Sequence, residues 1–142
     1  MNGYLSTTDD SATDISKLAD VSVMTPTGYW TEGAIISNLD DMKVLAKALA
    51  DGSLLSKGMQ KQRLTFVPGN KPQYGLGIMT VSGTGFVGHS SEVLGFNSSM
   101  YCNASTGNTV LVLLNRYPNQ IEGVSDIIAF ELLSIVGAAN LP

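Results

Sequence analysis

The residues best suited to chemistry lie close together, within residues 88–98 of the 142-residue chain. His89 is the only histidine in the sequence, and Ser90 and Ser91 follow it directly. An imidazole can act as a general base, and a serine hydroxyl can attack a carbonyl or donate a hydrogen bond to a substrate. Without further context, a single histidine on a strand is more often packed or solvent-facing, and the serines are ordinary strand residues. The surrounding sequence has to decide between the two interpretations.

The stretch at 88–98 is one of five motifs that occur in a set order. Gly-Ala-Ile-Ile-Ser-Asn-Leu-Asp-Asp-Met at 33–42 and Leu-Leu-Ser at 54–56 come first. Tyr-Gly-Leu-Gly at 74–77, Gly-His-Ser-Ser leading to Gly-Phe-Asn-Ser, and an apolar strand ending in Asn115 follow. This order resembles the C-terminal signature of the serine β-lactamase-like superfamily, which includes class C β-lactamases, D-alanyl-D-alanine carboxypeptidases and family VIII esterases. The resemblance covers residues 29–136.

The resemblance implies roles for four consecutive residues. In the family, a Lys-Thr-Gly or His-(Ser/Thr)-Gly strand lies beside the nucleophile and aligns the substrate along its edge. His89 would set the charge and hydrogen bonding of the cleft, the Ser90 hydroxyl would donate to substrate, and the Glu92 backbone N–H would complete the oxyanion hole. Ser91 stands where the family usually has glycine. Its side chain should narrow the substrate-binding cleft and disfavour ordinary β-lactam turnover.

The two other motifs of the family are missing from the chain. The nucleophile belongs to Ser-x-x-Lys, but no serine stands three positions before a lysine. The residues at those positions are Asp14, Asp40, Val44, Leu54, Gly58 and Pro68. Tyr101-Cys102-Asn103 matches the family's Tyr-x-Asn in letters only, because it follows the histidine motif and should lie inside the sheet. We therefore expect the serine nucleophile to be absent from this chain.

The resemblance implies the C-terminal portion of a serine hydrolase. The parent would cleave an amide or ester bond through a serine acyl-enzyme, in a D-alanyl peptide, a β-lactam or a small ester. This portion alone should be inactive. Two alternatives stay open: a non-catalytic module of the same fold that binds a peptide or ligand, and a split enzyme whose N-terminal part is a separate chain. Because that part would cover apolar surface, we expect a dimer, domain swapping or a partner chain.

Hydrophobic periodicity predicts an α+β fold, in which an antiparallel meander of about four strands is flanked by helices. The strands are expected at 74–79, 86–92, 96–103 and 109–115, joined by short turns. The domain should occupy residues 29–142, after an irregular lead-in over residues 1–28.

Three helices are predicted around these strands. The first should begin at Ser37, whose hydroxyl precedes Asp40 by three positions, and end at Gly52. A short helix is expected at 56–64, and a final one at 120–136. The side chains expected to face the core are Leu39, Met42, Leu45 and Leu49 in the first helix, and Ile121, Val124, Ile128, Leu132 and Ile135 in the last.

Composition excludes several classes of function. The apolar fraction is 44% and the charged fraction 14%, which is typical of a folded globular chain. A net charge of −4 argues against nucleic-acid binding. No apolar run is long enough to span a membrane, and the polar first residues show neither the basic start nor the apolar core of a signal peptide. One histidine and one cysteine are too few for a His/Cys zinc site, so we expect neither metal nor cofactor, and the compartment stays open.

Overall fold

A computed structural model describes residues 2–6, 18–68, 72–117 and 123–138. The strands are β1 (Tyr4–Ser6), β2 (Leu18–Asp20), β3 (Gln73–Tyr74), β4 (Met79–Thr80), β5 (Val87–Val93), β6 (Phe96–Cys102), β7 (Thr109–Leu114) and β8 (Arg116–Tyr117). The helices are α1 (Trp30–Gly33), α2 (Leu39–Asp51), α3 (Lys57–Arg63) and α4 (Val124–Ala138). A short 3-10 turn, Pro26–Tyr29, precedes α1. The predicted α+β class is confirmed.

The main sheet has five antiparallel strands in the order β3-β4-β5-β6-β7. The last three strands lie within one residue of their predicted bounds, because alternating side chains and turn glycines mark them clearly. Gly95, with φ +82°, forms the tight turn between β5 and β6. The predicted meander is therefore correct for this part of the sheet.

The predicted strand at 74–79 is instead a hairpin made of β3 and β4. Its connection passes Gly77, whose φ of +65° belongs to a turn. Gly75 lies so close to the carbonyl of Arg63, at the end of α3, that a side chain would collide with it. The amide of Leu76 donates to the same carbonyl at 3.1 Å. The alternation of glycine and apolar residues thus reflects a turn packed on a helix end, and the sheet gains a fifth strand.

Helix α2 covers one face of the sheet through small side chains. Its N-cap is Asn38, whose side chain accepts from the amide of Asp41 at 3.0 Å, so the prediction of Ser37 is wrong by one residue. Gly52 ends the helix with φ +77°, as expected. Ala46 and Ala50 are the residues buried against β5–β7, whereas Leu39 and Leu45 are exposed. Alanine lets the helix backbone approach the strands closely, which the apolar period alone does not reveal.

Helix α4 covers the opposite face of the sheet. The side chains predicted to face the core are not the ones that the structure buries. Ser125, Ala129 and Leu133 are buried, whereas Ile128 and Ile135 are exposed. Helix α4 is apolar on nearly all sides, so periodicity cannot select the packed face. Ile121 and the predicted first residue, 120, lie outside the described residues. Within the described part of the chain, no helix is both long and apolar enough to cross a membrane.

The packed face of α4 is selected by polar side chains. Asn97 and Ser99 of β6 are buried beneath the start of the helix. The side-chain oxygen of Asn97 accepts from the backbone amide of Ser125 at 2.9 Å, and the Ser99 hydroxyl lies 2.7 Å from a carboxylate oxygen of Asp126. The same carboxylate oxygen accepts from the Tyr101 hydroxyl at 3.0 Å. These buried bonds determine the rotation of α4 on the sheet, since leaving any of the groups unpaired costs free energy.

The lead-in is not wholly irregular. Strands β1 and β2 pair antiparallel, β1 pairs parallel with β8, and the order of this small sheet is β2-β1-β8. The amide of Tyr4 lies 3.0 Å from the carbonyl of Asn115, which joins the lead-in to the end of β7. Strands of two or three residues are too short to show a period in the sequence. Residues 7–17 lie outside the described residues.

Tyr101 should make the free energy of unfolding decrease at alkaline pH. Burial, and next the negative charge of Asp126, raise the pKa of Tyr101 far above its ordinary value of 10.0. Above about pH 10 the unfolded chain loses this proton while the folded chain retains it, so the free energy of unfolding falls as pH rises. Tyr101→Phe should lower the free energy of unfolding by about 1.5 kcal/mol at neutral pH. The difference in this free energy between the variant and the wild type should become smaller above pH 10. Urea unfolding between neutral and alkaline pH measures both.

The control for this experiment is Tyr4→Phe. Among the described residues, the hydroxyl of Tyr4 has no hydrogen-bond partner. The free energy of unfolding of this variant should therefore depend on alkaline pH as that of the wild type does. If the free energy of unfolding of Tyr101→Phe fell above pH 10 as steeply as that of the wild type, Tyr101 would not be the source of the alkaline pH dependence.

Glu92→Ala should test how β5 is attached to α4. One carboxylate oxygen of Glu92 accepts from the Asn97 side-chain amide and from the backbone amide of Gly123, both at 2.5 Å. Truncation leaves a buried amide of Asn97 unpaired, so the free energy of unfolding measured in urea should fall by about 1 to 3 kcal/mol. Glu131→Ala, which removes an exposed carboxylate from the same helix, should change stability by less than about 0.5 kcal/mol. Equal stabilities of the two variants would rule out this attachment.

Candidate substrate-binding edge

The predicted site residues lie on β5, and one edge of this strand is open. Strand β6 pairs with β5 over its full length, from Val87 to Val93. On the other side β4 pairs only with Val87 and Gly88. Among the described residues, no strand pairs with this edge between 89 and 93. We call residues 89–93 the open edge. An unpaired edge can accept an extended ligand as an additional strand.

The side chains of the open edge alternate between the two faces of the sheet. His89 lies opposite Met100, which packs beneath α2. Ser90 lies opposite Ser99, which contacts α4. By alternation, His89 and Ser91 lie on the α2 face and Ser90 and Glu92 on the α4 face. The sequence grouped the four as neighbours, whereas the structure divides them between two faces that share one backbone edge.

Gly88 brings β5 and β6 into close contact immediately before His89. A side chain at this position would collide with the carbonyl of Met100 and with the backbone and ring of Tyr101. Glycine is therefore required here by packing, which explains its place in the Gly-His-Ser-Ser motif. The following residues are more accessible: His89 and Ser90 are half-buried, and Ser91 and Glu92 are exposed.

Both ring nitrogens of His89 have partners. Its Nε2 atom lies 2.5 Å from the hydroxyl of Tyr74, and its Nδ1 atom lies 2.5 Å from the carbonyl oxygen of Ser90. The two aromatic rings meet edge to face, with centroids 5.5 Å apart and an interplanar angle of 83°. Sequence reasoning placed Tyr74 in a strand motif but missed this contact, because residues 15 positions apart on different strands share no local period.

The far end of the open edge is bounded by the segment around α1. The hydroxyl of Tyr29 accepts from the backbone amide of Leu94 at 3.3 Å, and Gly33 lies against the side chain of Val93. Trp30 is 80% exposed and has φ 45°, a left-handed value that is rare for a non-glycine residue. A small cavity of about 70 Å³ is lined by residues of this segment and of the end of β5.

A larger concavity, of about 440 Å³, lies away from the predicted site. It is formed by Lys43 of α2 and by the connection between β6 and β7, with Gly107, Asn108, Thr109 and Leu111 in its wall. None of the residues of the open edge borders it. The four predicted site residues lie along a backbone edge, and none of them lines either of these two cavities.

No protein-family model matches the chain, and no curated protein sequence matches it significantly. A D-stereospecific amidohydrolase from Streptomyces sp. matches with a TM-score of 0.67 and 23% identity, over 82% of this chain and 35% of its own.

The D-amino acid amidase from Ochrobactrum anthropi SV3 also matches, in two solved complexes. With D-phenylalanine bound, the TM-score is 0.73 at 17% identity, covering 99% of this chain and 44% of the amidase. With L-phenylalanine amide, the values are 0.71 and 18%, covering 98% and 43%. At these identities the similarity shows the fold. The chain shares the fold of the corresponding part of this amidohydrolase and this amidase, and it spans less than half the length of the solved structures it matches.

Proposed function

We propose that this chain is the substrate-aligning, C-terminal portion of a serine hydrolase that cleaves amide bonds through an acyl-enzyme. The observation that supports this most strongly is the open edge at 89–93, located in a hydrolase fold on the strand that carries the histidine motif. An extended substrate can pair with that edge through backbone hydrogen bonds.

A ligand that adds as the next strand meets both faces of β5, so all four predicted residues can border it. We assign His89 and Ser91 to one side of the substrate and the hydroxyl of Ser90 to the other. The backbone N–H of Glu92 serves as the oxyanion donor, a contribution worth about 3 kcal/mol in transition-state stabilisation. The attachment of its carboxylate to Asn97 and Gly123 supports this role, because an oxyanion donor must be held in place before the reaction.

We propose that the substrate is an amide of a D-amino acid or a short peptide containing one. The two solved proteins are a D-stereospecific amidohydrolase and a D-amino acid amidase. A planar amide in extended conformation suits an edge that offers backbone donors and acceptors. Ester and β-lactam substrates remain within the same acyl-transfer chemistry.

The nucleophile of this reaction must come from outside residues 1–142, which contain no Ser-x-x-Lys. We propose that a segment equivalent to the remainder of the matched structures supplies it, whether within a longer polypeptide or as a separate chain. Two exposed apolar surfaces support this proposal. One is formed by Ile35 and Ile36, which are 85% and 86% exposed, and the other by Ile127 and Ile135 on the outer side of α4. Surfaces of this kind usually mark an interface.

Labelling with a serine-reactive probe tests the proposed function. After incubation with a penicillin or a fluorophosphonate, intact mass spectrometry of the isolated chain should show no covalent adduct. In the native source, the polypeptide or complex captured by an antibody to this chain should carry the probe on a serine of a Ser-x-x-Lys sequence outside residues 1–142. A stoichiometric adduct on a serine of this chain would overturn the proposal. Absence of labelling in the native assembly would favour the non-catalytic binding module.

Sedimentation should show whether the outer side of α4 is an interface. We expect the isolated chain to self-associate at micromolar concentration, because association buries apolar surface that water otherwise contacts. The double variant Ile127→Glu, Ile135→Glu should shift the chain towards monomer by at least about tenfold in dissociation constant, which corresponds to roughly 1.4 kcal/mol.

Lys47→Glu is the matched control, since it changes the net charge by the same amount at an exposed position of α2, on the opposite face of the sheet. It should associate like the wild type. If the wild type stayed monomeric over the whole concentration range, this would contradict the proposal that a further segment packs on these apolar surfaces. It would favour a self-contained binding module.

A further inference from the structure

The contacts of His89 determine where its protons lie. A backbone carbonyl can only accept a hydrogen bond, so the Nδ1 atom, 2.5 Å from the carbonyl of Ser90, must carry a proton. In the neutral ring Nε2 then has a lone pair and no proton. The hydroxyl of Tyr74, 2.5 Å from Nε2, is consequently the donor of that bond.

This arrangement uses the hydrogen-bonding capacity of the imidazole completely. The single N–H is directed at a neighbouring carbonyl, and the single lone pair accepts from Tyr74. The proton of the Tyr74 hydroxyl is also engaged, which leaves lone pairs on the phenolic oxygen. Tyr74 is 45% exposed, so the pair remains accessible at the beginning of the open edge.

We propose that Tyr74 is a positioning residue that holds His89 in the Nδ1–H tautomer and occupies its Nε2 atom. The phenolic oxygen, and not an imidazole nitrogen, is then the free hydrogen-bonding atom of the pair. The proposal rests on the proposed function only in treating residues 89–93 as a substrate-binding edge.

The consequence for specificity concerns carboxylates. A substrate carboxylate needs an N–H or O–H donor, and the neutral pair has none to spare. His89 therefore does not anchor a free carboxylate in this arrangement, whereas the phenolic oxygen can accept from an amide N–H of the substrate. This deepens the proposed function by favouring amide substrates over peptides that are recognised through a terminal carboxylate at this position.

Nitrogen NMR can test the tautomer directly, because His89 is the only histidine in the chain. The whole chain is labelled with ¹⁵N-histidine and studied at about pH 8, where a free imidazole is neutral. We expect one protonated nitrogen at Nδ1 and one unprotonated nitrogen at Nε2. In Tyr74→Phe the Nε2 signal should move by several parts per million towards that of a free lone pair, and the Nε2–H tautomer should become detectable.

Tyr29→Phe is the matched control, because it removes a phenol from the far end of the same edge without contacting His89. Its His89 signals should equal those of the wild type, and backbone amide dispersion checks that each variant is folded. A wild-type ring protonated at Nε2, or a folded Tyr74→Phe protein with unchanged nitrogen signals, would overturn the proposal. Either result would leave the proposed hydrolase function intact, since that depends on acylation of a serine elsewhere.

Discussion

The pairing of β5 with β6 is the interaction on which the other features depend. It occupies one edge of β5 and leaves the other free between 89 and 93. Its register also decides which side chains face each helix, because a shift of one residue would exchange the two faces of the sheet. Gly88 allows the two backbones to approach at the position where the histidine motif begins. Both the site and the two layers of helix packing follow from this single pairing.

Polar contacts then select one rotation of α4 on the sheet. The helix offers apolar side chains in almost every direction, so hydrophobic burial alone would permit several arrangements. Asn97, Ser99 and Tyr101 present polar atoms from β6, and only the side of α4 with Ser125 and Asp126 satisfies them. Because Glu92 is joined to the same network, the end of the open edge is held by the helix. The same network of hydrogen bonds thus orients α4 and holds the Glu92 end of the open edge.

Under the proposed function, the residues that align the substrate lie in this chain and the nucleophile lies outside it. The open edge can orient an extended acyl group, and the exposed isoleucines before α2 and on α4 lie where further structure can pack. An edge that binds substrate must stay unpaired, which makes it a poor source of stability. The larger cluster of buried apolar side chains lies between the sheet and α4, around Phe86, Tyr101 and Leu133.

The sequence by itself determined the features that depend on local spacing. Alternation and turn glycines were sufficient for β5, β6 and β7, and Gly52 marked the end of α2, because these signals lie within a few residues of one another. Hydrophobic periodicity was sufficient for the fold class and for the placement of His89 on a strand. A backbone turn or a strand is encoded where it occurs, and it can therefore be predicted from one segment of chain.

Tertiary structure alone decided the features that join distant segments. The hydroxyl of Tyr74 reaches His89 across a hairpin that had been expected to be a single strand. The buried sides of α2 and α4 depend on partners in β6, and strand β1 pairs on one side with β8, which is more than 100 residues away in the sequence. None of these contacts has a period in the sequence. Each is selected by the free energy of packing and hydrogen bonding between segments, which is defined only once the chain has folded.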